Sequence, residues 1–327
     1  MKKYHFGFIV VIYLFSLILY LSFYYSPEIN GVSQTMVIQP GLTNRVIAKD
    51  FKKNGLIISP VLFLAFTFLS DQGQLIAGNY RFQTGETISQ IVNKIAQGHF
   101  YQIKVTFPEG STAKQMAEWL EQTGICRQED YLNLTQQPTV FQKPWLSEAK
   151  NLEGYLFPDT YYLSPGTDPK RVIEIQLNRF EEIYPGNLLE ESFTEMNKKV
   201  ILASIVEREA RVKNEKPIVA SVFLNRLKMN MKLESCATVI YAWNQEKGIQ
   251  LSSLSLDDLT LPSPYNTYLH QGLPPTPICN PGLDSLKAVA NPPQTNYYFF
   301  VLGENGSHYF SKTFEEHLKN KKKSGTQ

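Results

Sequence analysis

The stretch Val200–Val212 reads VILASIVEREARV, and its spacing decides how the second half of the chain is built. At roughly 100° per residue, Ile201, Leu202, Ile205, Val206, Ala210 and Val212 cover one broad face, while Ser204, Glu207, Arg208 and Arg211 lie on the other. The stripe predicts an amphipathic helix inside a longer one running from Asn197 to about Asn214. Glu209 interrupts the pattern. It projects from the middle of the apolar face, one turn from Ile205, Val206 and Val212. A carboxylic acid among aliphatic side chains has its charged form desolvated, which favours retention of the proton, the property required of a general acid near neutral pH. The structural alternative is a buried Glu paired with an Arg, for which Arg226 on the following helix is the candidate.

Outward from this helix, the spacing predicts one helix over Asp168–Tyr184 and another over Pro217–Asn230, the latter with proline early, where its missing N–H costs little. Beyond Met231 the chain reads as loops rich in Pro, Gly and Asn, closing with a strand-like run at Tyr297–Val301. Upstream, Leu152–Tyr161 is aromatic-rich and broken by Gly154 and Pro158. Gln128–Lys150 is polar with two prolines and reads as a domain boundary. Ser111–Gly124 reads as a helix with a Ser or Thr cap. In the first half, Met36–Gln39 and Gly78–Phe82 read as strands. Leu42–Asn54 and Thr87–Gly98 read as helices, the second capped by Thr87 and stopped by Gly98. This is a small α+β unit.

The N-terminal stretch Phe6–Tyr25 carries no charge over about 20 residues, which at helical rise matches the hydrocarbon thickness of a bilayer. Lys2 and Lys3 precede it and no Lys or Arg follows until Arg45. The positive-inside rule therefore predicts a transmembrane helix with a cytoplasmic N-terminus and everything after Tyr25 outside the cytoplasm. A cleaved signal peptide is the competing reading; the run is long for one and lacks a small-x-small site. With 327 residues, 43% apolar and 19% charged, there is room for the anchor plus two globular domains. A net charge of +2 supplies no basic field that would argue for nucleic acid. The run Lys319–Lys323 reads as a solvated tail. Three cysteines, Cys126, Cys236 and Cys279, match no zinc spacing, and the five histidines form no ligand set. No metal and no cofactor is expected.

The segments LEGYLFPDTY, ILASIVEREA, ASVFLNRL, ATVIYAW, PYNTY, GLPPTPICNPG and YYFFV occur in that order between Leu152 and Val301. In them the second half resembles the endolytic murein transglycosylase family, MltG, formerly called YceG-like. The first half resembles that family's LysM-like module through AGNYRF and the helix after it. On this resemblance the family's catalytic glutamate, the second Glu of a VEKE-type motif, falls on Glu209, the residue that the periodicity singles out. Ala210 stands where relatives often have Ser or Thr, and Glu234-Ser-Cys-Ala-Thr238 where many have Thr-Asp-Pro-Thr.

The resemblance implies a non-hydrolytic reaction on the β-1,4 bond between MurNAc and GlcNAc, giving a 1,6-anhydroMurNAc end and terminating strand elongation. An intramolecular nucleophile lets one carboxylate serve where hydrolases ordinarily use two. Glu153 is the candidate supporting carboxylate, against a reading as a helix cap or surface charge. Asn225, Arg226, Tyr241, Tyr265, Asn266, Thr267 and Tyr268 are the candidate substrate-binding residues, since amides and hydroxyls match sugar groups and aromatic faces stack on pyranose rings. For each tyrosine alone, core filling is the competing reading. Gly272-Leu-Pro-Pro is expected to form a rigid loop wall. Cys236 and Cys279 lie in motifs expected to border one cleft, and a disulfide between them is a hypothesis that an oxidising compartment permits.

The expected fold is α+β. It comprises a cytoplasmic tail (1–5), a transmembrane helix (6–25), a LysM-like module (28–110), a connecting helix and linker (111–149) and a mixed α+β catalytic domain (150–327). Expected partners are peptidoglycan strands, penicillin-binding synthases and the inner membrane, with the catalytic domain periplasmic. Three other readings stay open at this point: a noncatalytic peptidoglycan-binding scaffold, a pyridoxal-phosphate lyase, and a lysozyme-type hydrolase. The lyase needs a Schiff-base Lys and a phosphate cradle, neither of which is visible.

Overall fold

Exposure alternates through Gln34–Ile38, and polarity through Asn79–Phe82, and the segments Gln34–Ile38 and Gly78–Phe82 pair as antiparallel strands β1 and β2, with Gln34 opposite Phe82 and Ile38 opposite Gly78. The computed structural model describes residues 13, 16–18, 20–24, 33–72, 75–83, 85–187, 190–249, 251, 253–304 and 306–325. The chain divides into two compact units, Met1–Ile103 and Lys104–Gln327.

In the first unit, helices α1 (Asn44–Lys53) and α2 (Pro60–Leu69) lie between the two strands in sequence, and α3 (Ile88–Ala96) follows β2. Phe51 is the centre of its core, with its ring edge-on to Phe63 at 5.6 Å and to Phe82 at 5.3 Å. The start of α3 is a capping box: the Gln90 N–H donates to Thr87 Oγ1 at 3.2 Å and the Thr87 N–H to Gln90 Oε1 at 2.9 Å. Gly98 follows with φ +66°, a left-handed turn that favours glycine. The sequence reading lacks α2. PVLFLAFTFL is apolar all round and so carries no helical period to detect.

Much of the predicted membrane segment 6–25 lies outside the described residues. Among the described residues no helix is long and apolar enough to cross a membrane.

The second unit opens with strand β3 (Ile103–Thr106), which pairs with β4 (Thr160–Leu163). Between them lie α4 (Ala113–Gln122), which starts in a Thr112–Gln115 capping box, and α5 (Gln128–Thr135). After β4 come α6 (Pro169–Ile183), α7 (Phe193–Glu209), α8 (Lys216–Lys228), α9 (Cys236–Lys247) and α10 (Leu283–Ala290). An antiparallel hairpin of β5 (Phe299–Leu302) and β6 (His308–Ser311) follows, then α11 (Phe314–Lys323).

Four features differ from the sequence reading. First, α7 packs against α8, α9 and α10, so Val200 to Val206 is buried without a break, including Ser204 on the supposedly polar face. The helix ends at Glu209, and Ala210 is already extended. No Gly or Pro marks that end in the sequence, so the periodic reading overran it. Second, the expected boundary at Gln128–Lys150 contains α5, which packs on α4 and α6 inside the second unit. Third, the region after Met231 holds α9 and α10 among its loops. Fourth, the run Lys319–Lys323 is helical within α11, with a Thr313–Glu316 capping box at its start.

Candidate active site

Glu209 is the last residue of α7, and its half-buried carboxylate points at the start of α9. Oε1 accepts from Ser235 Oγ at 2.5 Å and from the Ala237 N–H at 3.2 Å. Ser235 is the N-cap of α9, and Ala237 sits in its first turn, where backbone N–H groups have no acceptor within the helix. An acid placed here is held by a helix N-terminus. The sequence reading put Glu209 among Ile205, Val206 and Val212; the structure turns its carboxylate onto polar partners instead. Arg226, the alternative partner, pairs with Glu234 at 3.0 Å.

The PYNTY loop positions Ser235. Its N–H donates to Thr267 Oγ1 at 3.0 Å, which shares a hydrogen bond with Thr238 Oγ1 at 2.9 Å. Asn266 is fully buried; its amide donates to the carbonyls of Leu259 and Leu261, both at 2.9 Å, and its Oδ1 accepts from the Tyr268 N–H at 3.0 Å. Thr267 and Asn266 thus shape the loop rather than face a groove. Tyr268 Oη lies 3.2 Å from Cys236 Sγ, and burial raises both of these ionisable groups, with the nearby Glu209 charge raising them further.

Two cavities lie in the same unit; Glu209 itself lines neither, but its neighbour Arg208 and its hydrogen-bond donor Ala237 line the first. One, of about 230 Å³, is lined from α4 by Lys114, Glu118 and Trp119, from α7 by Arg208, and from α9 by Ala237, Tyr241 and Asn244. The other, of about 320 Å³, is lined by Glu153, Tyr265 and Gln245 among others. Lys114 and Tyr241 line both. The Tyr241 and Tyr265 rings meet edge to face with centroids 5.0 Å apart, and Tyr265 Oη is 2.7 Å from Thr276 Oγ1.

Glu153 is buried at the start of α4, where its two oxygens accept from the Ala113 N–H at 3.0 and 3.2 Å. Asn280 Nδ2 donates to Oε1 at 2.8 Å. Burial pushes this carboxyl up from 4.5 to about 8, outweighing the two hydrogen bonds that pull it down, so Glu153 carries its proton at neutral pH. Asn280 is the hub: its Oδ1 also accepts from the N–H groups of Gly154 at 2.8 Å and Leu156 at 3.0 Å. At Gly154, φ is +93° and a Cβ would come 2.4 Å from Pro277 Cγ, so only glycine fits between the LEGYLFPDTY and GLPPTPICNPG segments.

Asn225 and Arg226 do not line either cavity. The Asn225 amide donates to the carbonyls of Thr295 at 2.8 Å and Tyr297 at 3.0 Å. Arg226 reaches the carbonyls of Tyr298, Lys232 and Leu233 at 2.6, 3.1 and 3.0 Å and lies over the Phe299 ring. Both fasten the chain entering β5. The cysteine hypothesis is corrected: all three thiols are free, Cys236 is exposed, and the buried Cys279 donates to the Ser204 carbonyl at 3.3 Å. Among the described residues no group of His, Cys, Asp and Glu could hold a metal ion.

The sequence reading missed Ser235, Asn280, Lys114, Trp119 and Arg208. Ser235 had a local signal, a serine one step before the apolar spacing of α9. Asn280 had none, because its partners, Ser111 at the start of α4 and Glu153, Gly154 and Leu156 in a second segment, lie more than a hundred residues away.

The chain is mixed α+β, with one half-buried carboxylic acid where α7 meets α9, a second buried at the start of α4, and cavities walled in part by Tyr241 and Tyr265. The chain belongs to the YceG-like family, whose model matches residues 36–323. It is 32% identical over 304 residues to the endolytic murein transglycosylase of Bacillus subtilis (strain 168), a match covering 88% of this chain and 83% of that protein. It is 28% identical over 318 residues to the endolytic murein transglycosylase of Streptococcus pneumoniae (strain R6), covering 88% of this chain and 57% of that longer protein. A crystal structure of a yceG-like protein from Listeria monocytogenes matches with a TM-score of 0.59 at 30% identity, covering 88% of this chain and 98% of that one.

Proposed function

We propose that this protein is an endolytic lytic transglycosylase that cleaves the MurNAc–GlcNAc β-1,4 bond of nascent peptidoglycan, with Glu209 as its acid/base. Membership of the YceG-like family and the names of its relatives support the activity. The placing of Glu209 carries the assignment of the acid. Ser235 and the Ala237 N–H both bond Oε1, which leaves Oε2 as the oxygen that bears and delivers the proton.

In the first step Glu209 protonates the glycosidic oxygen, and the bond from that oxygen to the muramyl C1 breaks, releasing the GlcNAc hydroxyl. The resulting carboxylate then takes the proton of the muramyl C6 hydroxyl, whose oxygen bonds C1. The product carries a 1,6-anhydro ring, and Glu209 regains its proton, so no water is consumed. The two donors on Oε1 steady the carboxylate while it is charged.

Glu153, protonated at neutral pH, is suited to donate a hydrogen bond to a sugar hydroxyl or N-acetyl carbonyl, and less suited to stabilise positive charge. Tyr241 and Tyr265 offer aromatic surface to pyranose rings, and Tyr268 sits beside the acid. Lys114 and Arg208 supply positive charge in the groove, matching the carboxylates of peptide stems.

In this reading residues 6–25 anchor the chain in the inner membrane with Lys2 and Lys3 cytoplasmic, and both units work outside the cytoplasm. The strand–helix–helix–strand order of β1, α1, α2 and β2 supports a LysM-like, glycan-binding role for the first unit. Penicillin-binding synthases are the expected partners, since they make the strands that are cut.

Mass spectrometry of purified peptidoglycan digested by wild type and by Glu209→Gln tests the assignment. Wild type should yield 1,6-anhydroMurNAc ends and the variant none. Reducing ends from wild type would make the enzyme a hydrolase, and an unchanged product from the variant would place the acid elsewhere.

A further inference from the structure

Helix α2 is built the wrong way round for a helix in water. From Leu56 to Ser70 the chain reads LIISPVLFLAFTFLS without one charged residue. Phe63 and Thr67 face the core of the first unit, with 0% and 3% exposure. The opposite arc carries Val61 at 73%, Phe68 at 85% and Leu69 at 63% exposure, with Ala65 partly exposed between them. The side turned outward is therefore entirely apolar, and the polar Thr67 is the one turned in. A contiguous apolar face of this kind marks an interaction surface.

Three observations identify what covers it. The Phe66 ring, on the flank of α2 that packs against the core, meets Phe23 edge-on with centroids 5.1 Å apart, so α2 lies directly beside the apolar N-terminal segment. At about 1.5 Å per residue a helix of this length reaches only about half of the bilayer's hydrocarbon core, so it can lie in a leaflet but not cross. The adjoining α1, which packs on α2, presents Arg45, Lys49, Lys52 and Lys53 to solvent against a single acid, Asp50. An apolar helix face flanked by a basic one is the pattern of a segment lying in an anionic membrane surface.

We infer that α2 is a second membrane contact: it beds Val61, Phe68 and Leu69 among the acyl chains of the leaflet beside the N-terminal anchor, with the α1 cations on anionic headgroups. This rests on the anchored reading proposed above. The function it adds is positional. A second insertion holds the first unit down on the bilayer at a second point.

The test uses the full chain in vesicles that mix anionic phosphatidylglycerol with phosphatidylcholine brominated in the upper acyl chain. Wild type has three tryptophans, Trp119, Trp145 and Trp243, all in the second unit. Phe68→Trp adds a fourth at an exposed position, and its emission is read by difference. The expected result is that bromine quenches the added emission by about two-fold or more relative to unbrominated vesicles, with the wild-type emission unaffected. Leu69→Trp repeats the reading if the first variant does not fold. Added emission that stays unquenched overturns the proposal. If that emission is also blue-shifted, a protein surface, either a second copy or a partner, covers α2 instead. Alkaline carbonate extraction of the same vesicles separates the two readings. A chain retained but unquenched sinks the α2 contact alone, and a chain extracted although quenched sinks the anchor alone.

Discussion

Glu207 and Glu209 leave the last turn of α7 two residues apart and enter opposite surroundings. Toward α8 and α10, Glu207 receives Lys216 Nζ at 2.9 and 3.1 Å, the Gly282 N–H at 3.0 Å and Ser285 Oγ at 2.6 Å, and its side chain is 8% exposed. Toward α9, Glu209 receives two donors on one oxygen, and one of them, the Ala237 N–H, belongs to a residue that lines the first cavity. A carboxylate whose oxygens are saturated by donors from neighbouring helices serves the fold. One with both donors on a single oxygen keeps the other available for chemistry. Residue type and sequence position do not separate the two; the partners do.

The comparison breaks first at Glu209. Replacing it by Gln should lower turnover by about 10²–10⁴-fold, the usual worth of a general acid, with little change in melting temperature. Anhydro-product release and thermal unfolding, measured on one preparation, give both numbers. If stability collapsed instead, Glu209 would belong with Glu207.

Glu207→Gln should do the reverse. It leaves Lys216 buried with only Glu109, 3.7 Å away, as a counter-charge, and should cost about 3–5 kcal/mol in denaturant unfolding while the folded fraction still cuts glycan. A third carboxyl sharpens the contrast through pH. Glu153, pushed up to about 8, keeps its proton in the folded chain while the unfolded chain loses its own above the ordinary value of 4.5. Unfolding therefore releases a proton between those values. Its contribution is full below that window and declines as pH rises through it, by about 1.4 kcal/mol per pH unit. Unfolding curves from pH 5 to 8 should show this decline in wild type and a flatter profile in Glu153→Gln. The smallest effect is expected from Ser235→Ala, which removes one hydrogen bond from Glu209. It should slow turnover by about five-fold, the worth of roughly 1 kcal/mol, with KM nearly unchanged.

The elements read most accurately from sequence are those whose signals are local. The Thr87 cap and Gly98 stop of α3, the Thr112 box of α4 and the Asp168 cap of α6 all lie within four residues of the groups they satisfy. Strand β2 shows the same thing through the alternation of Asn79, Tyr80, Arg81 and Phe82. By contrast, α2 and α7 were misread or missed because they are apolar on more than one side, and a stripe can be read only when water covers the other face. In the site, Glu209 and Glu153 stood out as acids in apolar or aromatic stretches. Asn225, Arg226, Asn266 and Thr267 stood out too, as polar residues in specific motifs, yet the structure spends their side chains on backbone carbonyls and buried hydroxyls.

By itself the sequence determined the mixed α+β class, the order of most helices and the apolar N-terminal stretch. These follow from caps, periods and composition, which act between neighbours along the chain. Only the tertiary structure decided which carboxylate is saturated and which is left open, that Asn280 ties Glu153, Gly154 and Leu156 to Ser111 at the start of α4, and that α2 turns its apolar face outward. Those outcomes depend on donors and surfaces brought together from far apart in the chain, and no short-range pattern encodes a partner a hundred residues away.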